Sequence, residues 1–211
     1  MAEPLIIYKS IVGSRTYGLE IENSDIDLAV VTPSLDYKEE GYDVHTRSPE
    51  RFISRYNKTI INWVAHQWLF PAEFLLENDL SKWIKENRED FIKAILPEFY
   101  NSHLLAIDRF FQRGGPHSKY VARAIHFRNV FVNYAEGMTF EEALKPQGAN
   151  RDFLLDIRKG KVPISQILNV NATAKARLLS VEDFYKEPRA DKAILTEFEN
   201  MVYREVDLLN K

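Results

Sequence analysis

Two apolar, β-branched segments, residues 5–12 (Leu-Ile-Ile-Tyr-Lys-Ser-Ile-Val) and 26–32 (Ile-Asp-Leu-Ala-Val-Val-Thr), flank a turn that opens Gly13-Ser14-Arg15-Thr16-Tyr17-Gly18 and closes Ser24-Asp25. Runs of this kind, ended by Gly13 and Pro33, predict two strands. Side chains two apart on a strand share a face, so Asp25 and Asp27 are expected side by side, with Ile26 and Leu28 turned to the core. Two parallel carboxylates repel unless a cation sits between them. Mg²⁺ held by one or two carboxylates, with water and phosphate oxygens completing its shell, is one resolution; a solvated strand face at a turn is the other. Gly13-Ser14 divides in the same way, between an ordinary turn and a phosphate cradle of backbone N–H groups and the Ser14 hydroxyl, with Arg15 or Lys9 adding charge. The combined spacing, Gly-Ser, then Gly18, then Ser-Asp-x-Asp between two strand-like segments, is more specific than either part.

Composition narrows the chemistry. The 211 residues contain no cysteine, which excludes disulfides, zinc-thiolate sites and thiol nucleophiles and leaves hard, oxygen-ligated metals. A formal net charge of -3 argues against a wholly basic nucleic-acid coat, so any polyanion must be met by a local patch. No run of about 18 apolar residues and no basic start followed by an apolar core is present, and the cytoplasm is the expected compartment.

Gly41-Tyr42-Asp43-Val44-His45 reads as a third, weaker strand. After it the period changes: Ser48-Pro49-Glu50 supplies a cap, a proline at the first helical position and an acid in the first turn. Phe52, Ile53, Tyr56, Ile60, Ile61, Val64 and Trp68 continue at helical spacing, with a break available at residues 57–59. Further helices are predicted over 80–96, 97–111, 118–136, 139–144, 151–159 and 181–209. The fold expected is α+β: a small mixed-sheet head, residues 1–75, and a mostly helical body, residues 76–211, packed as one unit with a cleft where they meet.

Gly13-Ser14-Arg15-x-Tyr17-Gly18 with Ser24-Asp25-x-Asp27 resembles the nucleotidyltransferase superfamily that includes DNA polymerase β. Within it, the run looks most like the nucleotidyltransferases associated with RNA repair in bacteria and phages. Tyr42-Asp43-Val44 is similar to that family's third metal-binding carboxylate on a neighbouring strand. Trp68-Leu69-Phe70-Pro71 is similar to a following Leu-Phe segment, and the stretch from Arg151 to Gly160 to an Arg-x-x-Leu-Leu-x-Ile-x-x-Gly block. The likeness covers residues 6–165. It implies a two-metal transfer in which Asp25, Asp27 and Asp43 ligate Mg²⁺ or Mn²⁺, with Asp43 also placed to take up a proton. Gly13 and Ser14 would bind the triphosphate of an NTP and pyrophosphate would leave. A glutamate that precedes the Leu-Phe segment in many relatives is absent here, where the chain reads His66-Gln67-Trp68.

In the body, residues 118–136 carry a broad apolar stripe, with Lys119, Arg123, His126, Asn129 and Asn133 expected on the other face and Arg128 at its edge. Lys119 and Arg123, one turn apart, suit phosphate or nucleobase contact as well as a plain solvated face. Arg151, Arg158, Lys159 and Lys161 form a second basic cluster, matched in kind to a nucleic-acid backbone. The function expected is transfer of a nucleoside monophosphate to a hydroxyl, on an RNA 3′ end or a tRNA-like molecule, ATP being one candidate donor. A non-catalytic, nucleotide-binding or antitoxin-like partner protein, and transfer to a protein or small molecule, are the alternatives.

Overall fold

All three expected strands form, and a short fourth joins them. A computed structural model of the chain describes residues 5–57, 65–113, 115, 118–186 and 192–210. Strands β1 (Tyr8–Val12), β2 (Asp27–Val31), β3 (Asp43–Arg47) and β4 (Glu73–Phe74) make one mixed sheet in the order β3-β2-β1-β4. β1 runs antiparallel to β2 and β4, whereas β2 and β3 are parallel. Alternation along β1 is the expected kind: Tyr8, Ser10 and Val12 are buried, while Lys9 and Ile11 are half-buried. The Tyr8 hydroxyl donates to the Trp68 carbonyl at 2.7 Å and accepts from Ser10 Oγ at 2.8 Å, so this polar pair in the core is satisfied.

Ser48 caps α1 (Pro49–Ile53), its side chain accepting from the Arg51 N–H as the Ser-Pro-Glu signal predicts. The helix stops there and a 3₁₀ turn follows over Ala65–Trp68; Ile60, Ile61 and Val64 lie outside the described residues. The body comprises α2 (Asp79–Ala94), α3 (Leu96–Arg113), α4 (Lys119–Ala135), α5 (Phe140–Leu144), α6 (Gly148–Arg158), α7 (Ile164–Ser180) and α8 (Ala193–Leu209). α7 was not among the predicted helices. The predicted start of the last one, at 181, is instead a 3₁₀ turn over Glu182–Tyr185.

One core runs through head and body. Phe52 and Tyr56 meet Phe198 of α8 edge-on at 5.2 and 5.4 Å between centroids, and Tyr17 meets Phe127 of α4 at 5.4 Å. Buried Glu205 of α8 reaches back to the start of α2, accepting from Asn78 Nδ2 at 3.2 Å and the Leu80 N–H at 3.3 Å. That places a carboxylate at the positive end of the α2 dipole.

α4 is the central helix, packed by α3, α5, α6 and α7, and this corrects the expectation for His126. Surrounded on most of its circumference, α4 has no full polar face, and His126 is buried with Nε2–H donating to the Leu144 carbonyl at 3.1 Å. Arg128 is buried as well and donates to Asn171 Oδ1 of α7. Burial above all, with Arg123 adding and the Leu144 hydrogen bond opposing, pushes the His126 imidazole down to about 4. The unfolded chain therefore takes up a proton near pH 6.5 that the folded chain refuses. Stability is full above pH 6.5 and falls by about 3 kcal/mol as the pH drops toward 4. Urea unfolding at pH 7 and pH 4.5 measures this loss, and His126→Gln is expected to flatten the slope in that window; an unchanged slope contradicts it.

No helix among the described residues is long and apolar enough to cross a membrane.

Candidate metal and phosphate site

The site is built where β1, β2 and β3 end side by side. β1 runs into a 3₁₀ turn over Gly13–Tyr17, closed by Gly18 at φ +62°, whose N–H donates to the Arg15 carbonyl at 3.1 Å. Tyr17 anchors the turn: its ring is buried, and its hydroxyl accepts from Gln67 Nε2 and shares a 2.7 Å hydrogen bond with His66 Nε2. Burial holds the Tyr17 phenol well above its ordinary range, so it stays neutral. His66 and Gln67 thus brace the turn from the core.

Strand register brings the carboxylates together. Asp27 opens β2 and lies opposite Val12 on one side and Asp43, the first residue of β3, on the other. The Asp43 N–H donates to the Ile26 carbonyl at 2.9 Å, fixing the junction. Two residues further along β3, His45 Nε2–H donates to Asp27 Oδ1 at 3.0 Å, and this hydrogen bond raises the His45 pKa against the opposing effect of burial. Ligand atoms of Asp27, Asp43 and His45 all lie within 4.8 Å of one another, the only such group of three among the described residues.

Gly13 sits beneath this group at φ +75°. A Cβ there would stand 1.8 Å from Asp27 Oδ2 and 2.6 Å from its Cγ. The glycine therefore makes room for the Asp27 carboxylate, in addition to any cradle it offers a phosphate.

A cavity of about 270 Å³ opens in front of the carboxylates, lined by Ser14, Asp25, Asp27, Asp43, Lys119, Arg123 and Arg158 among others. Head and body both contribute to it. Asp25 lines this cavity but is not in the close group, because β2 begins at Asp27 and the ladder does not hold Asp25 beside it. Arg15 is not brought to the carboxylates. In a 3₁₀ turn successive side chains diverge by about 120°, and Arg15 lines another cavity with Lys145, Gln147 and Arg151.

Lys119 and Arg123 face the carboxylates as their spacing allows, Arg123 with its guanidinium 5.8 Å from the centre of the Tyr17 ring. The second basic cluster is divided. Arg151 Nε donates to the Gly18 carbonyl at 2.9 Å, Arg158 enters the cavity and donates to Ser24 Oγ at 3.4 Å, and Lys161 lies 3.8 Å from Asp156. Burial and then the neighbouring Arg123 charge weigh against the Arg158 guanidinium, as expected of cations gathered where an anion belongs.

His45 was not singled out in the sequence, although its period-2 spacing from Asp43 places it on the same strand face. Arg47 and Arg55, which line an adjoining chamber, carried no sequence signal beyond their charge. No family model matches the chain, and no curated protein matches it.

Proposed function

We propose that the chain is a metal-dependent nucleotidyltransferase that moves a nucleoside monophosphate from an NTP to a hydroxyl, an RNA end being the acceptor class its resemblance favours. The observation that carries this reading is the pairing of Asp27 with Asp43 across parallel strands, over a glycine that only a residue without Cβ can fill, in a cavity whose other wall is basic. A binding module gains nothing from carboxylates forced into register.

The donor set fits a divalent cation: two carboxylates suit Mg²⁺ or Mn²⁺, and the imidazole beside them is tolerated better by Mn²⁺. Asp27 and Asp43 would hold it, with Asp25 in reach of the same cavity. When bound, such an ion neutralises phosphate charge and acidifies a hydroxyl. The protein's own groups do the rest. Ser14 and the N–H groups of the turn orient the phosphates, and Lys119, Arg123 and Arg158 offset their charge. His45 fixes the Asp27 carboxylate through its 3.0 Å hydrogen bond. The acceptor oxygen forms a bond to the α-phosphorus as the bond to the bridging oxygen of the β-phosphate breaks, and pyrophosphate departs. Asp43, the more exposed of the paired acids, accepts the hydroxyl proton.

Incubation with α-labelled NTP and Mg²⁺, offering RNA ends, DNA ends and small-molecule hydroxyls in parallel, tests the reading. Label is expected on RNA and absent with Asp27→Asn; label on no acceptor, together with no cation-dependent NTP binding, refutes it.

A further inference from the structure

A second chamber of about 210 Å³ shares Asp27, Lys119 and Arg123 with the carboxylate cavity, and its remaining wall includes Gly13, Arg47 and Arg55. The charge of the two differs. The first sets Asp25, Asp27 and Asp43 against Lys119, Arg123 and Arg158. The second sets Asp27 alone against Arg47, Arg55, Lys119 and Arg123. The change is graded along β3, where Asp43, His45 and Arg47 alternate onto one face, acid, then imidazole, then guanidinium.

Arg55 shows what the chamber lacks. It is 8% exposed, its guanidinium lies 4.8 Å from the centre of the Trp68 ring, and its Nη1 is buried with no hydrogen-bond partner among the described residues. A guanidinium does not shed its proton in a protein, and a buried charge without an opposing group is costly. Burial, with the Arg47 charge adding, works against the charged form here. Arginine forks match the paired oxygens of a phosphate, and Arg47 and Arg55 bring two of them to this chamber beside Arg123.

We propose that this chamber binds a phosphate group carried by the acceptor, next along the molecule from the hydroxyl that reacts at Asp27 and Asp43. Arg47 lies four residues from Asp43, about 13 Å along the strand, a span that the long Arg47 and Arg55 side chains shorten. The identity of that hydroxyl rests on the nucleotidyl-transfer reading; phosphate binding by the chamber does not. Binding here needs no divalent cation, because the positive charge is the protein's own, and this separates it from the NTP.

Thermal unfolding of the full chain in EDTA, titrated with inorganic phosphate, reads the chamber directly. Phosphate is expected to raise Tm, and Arg55→Met and Arg47→Gln are each expected to weaken its binding by about tenfold, the worth of one charge-assisted hydrogen bond. Arg55→Met keeps an apolar stem on Trp68, and Arg47→Gln alters a side chain outside the core, so one variant checks the other if either folds poorly. The dinucleoside monophosphate ApA is expected to displace phosphate where adenosine does not. Mg-ATP binding is expected to stay within about twofold in both variants, since no charge-assisted bond to the nucleotide is removed. No phosphate effect on the unaltered chain, or an effect undiminished in both variants, overturns the proposal. Loss of Mg-ATP binding in the variants gives the chamber to the nucleotide and overturns the acceptor assignment. Absence of Mg-ATP binding in the unaltered chain defeats the transfer reading while the phosphate result stands.

Discussion

Gly13→Ala is expected to abolish divalent-cation binding and nucleotidyl transfer and to destabilise the chain by about 2–5 kcal/mol. Two costs add. A non-glycine residue at φ +75° carries about 1–2 kcal/mol of left-handed strain, and the new methyl falls 1.8 Å from Asp27 Oδ2 and 2.9 Å from Asp27 Cβ. Overpacking of this kind costs about 1–3 kcal/mol. Asp27 has little room to retreat, since its backbone is laddered to Val12 and to Asp43 and its carboxylate accepts from His45. Relief must come from turning the carboxylate out of the group, which removes the ligand. Gly41→Ala makes the control: its φ is +85° but no atom of the described residues lies within 4 Å of the added Cβ. That variant is expected to lose about 1 kcal/mol and to keep cation binding. Urea unfolding and Mn²⁺ titration of both variants check this, and a Gly13→Ala chain that still binds the cation sinks the argument.

The same glycine shows what the sequence could and could not tell. Its position after an apolar segment marked a place where backbone must come close to something, and a phosphate was the expected occupant. The close approach is real, yet the group nearest it is the Asp27 carboxylate from the next strand. Periodicity supplies a face but not a boundary. It paired Asp25 with Asp27, whereas β2 begins at Asp27 and the partner in register is Asp43, on a strand that local pattern marked only weakly. Which residues stand opposite across a parallel pair depends on the course of residues 32–42, a path that no local rule specifies.

Burial was legible where one face of an element is wet and illegible where none is. β1, expected only as a strand, forms one and alternates between buried and half-buried side chains. α4 is packed by four other helices, so a histidine that a helical wheel assigns to solvent is in the core. Arg55 is the converse, a cation in a short link between α1 and residue 57 whose burial arises from contacts with Trp68, distant in the chain.

Asp43→Asn separates a ligand pair from an ornamental one, because its effect on stability is expected to change sign with the cation. Without metal, Asp27 and Asp43 face each other across the parallel ladder as like charges. A directly opposed like pair costs a few tenths of a kcal/mol to about 1 kcal/mol, so neutralising one partner should raise stability by that amount in EDTA. With cation at about one hundred times its Kd the unaltered chain gains about 2.7 kcal/mol by mass action, a gain the variant should forfeit along with transfer activity, on the order of 10²–10³-fold. Asp27→Asn is expected to lose the same cation effect without the gain in EDTA, since Asp27 also accepts from His45. Thermal unfolding of the three proteins with EDTA and with Mn²⁺ reads all these differences at once. A cation-induced shift that survives Asp43→Asn removes Asp43 from the metal site; a variant less stable than the parent in EDTA means that the acid was holding the sheet rather than straining it.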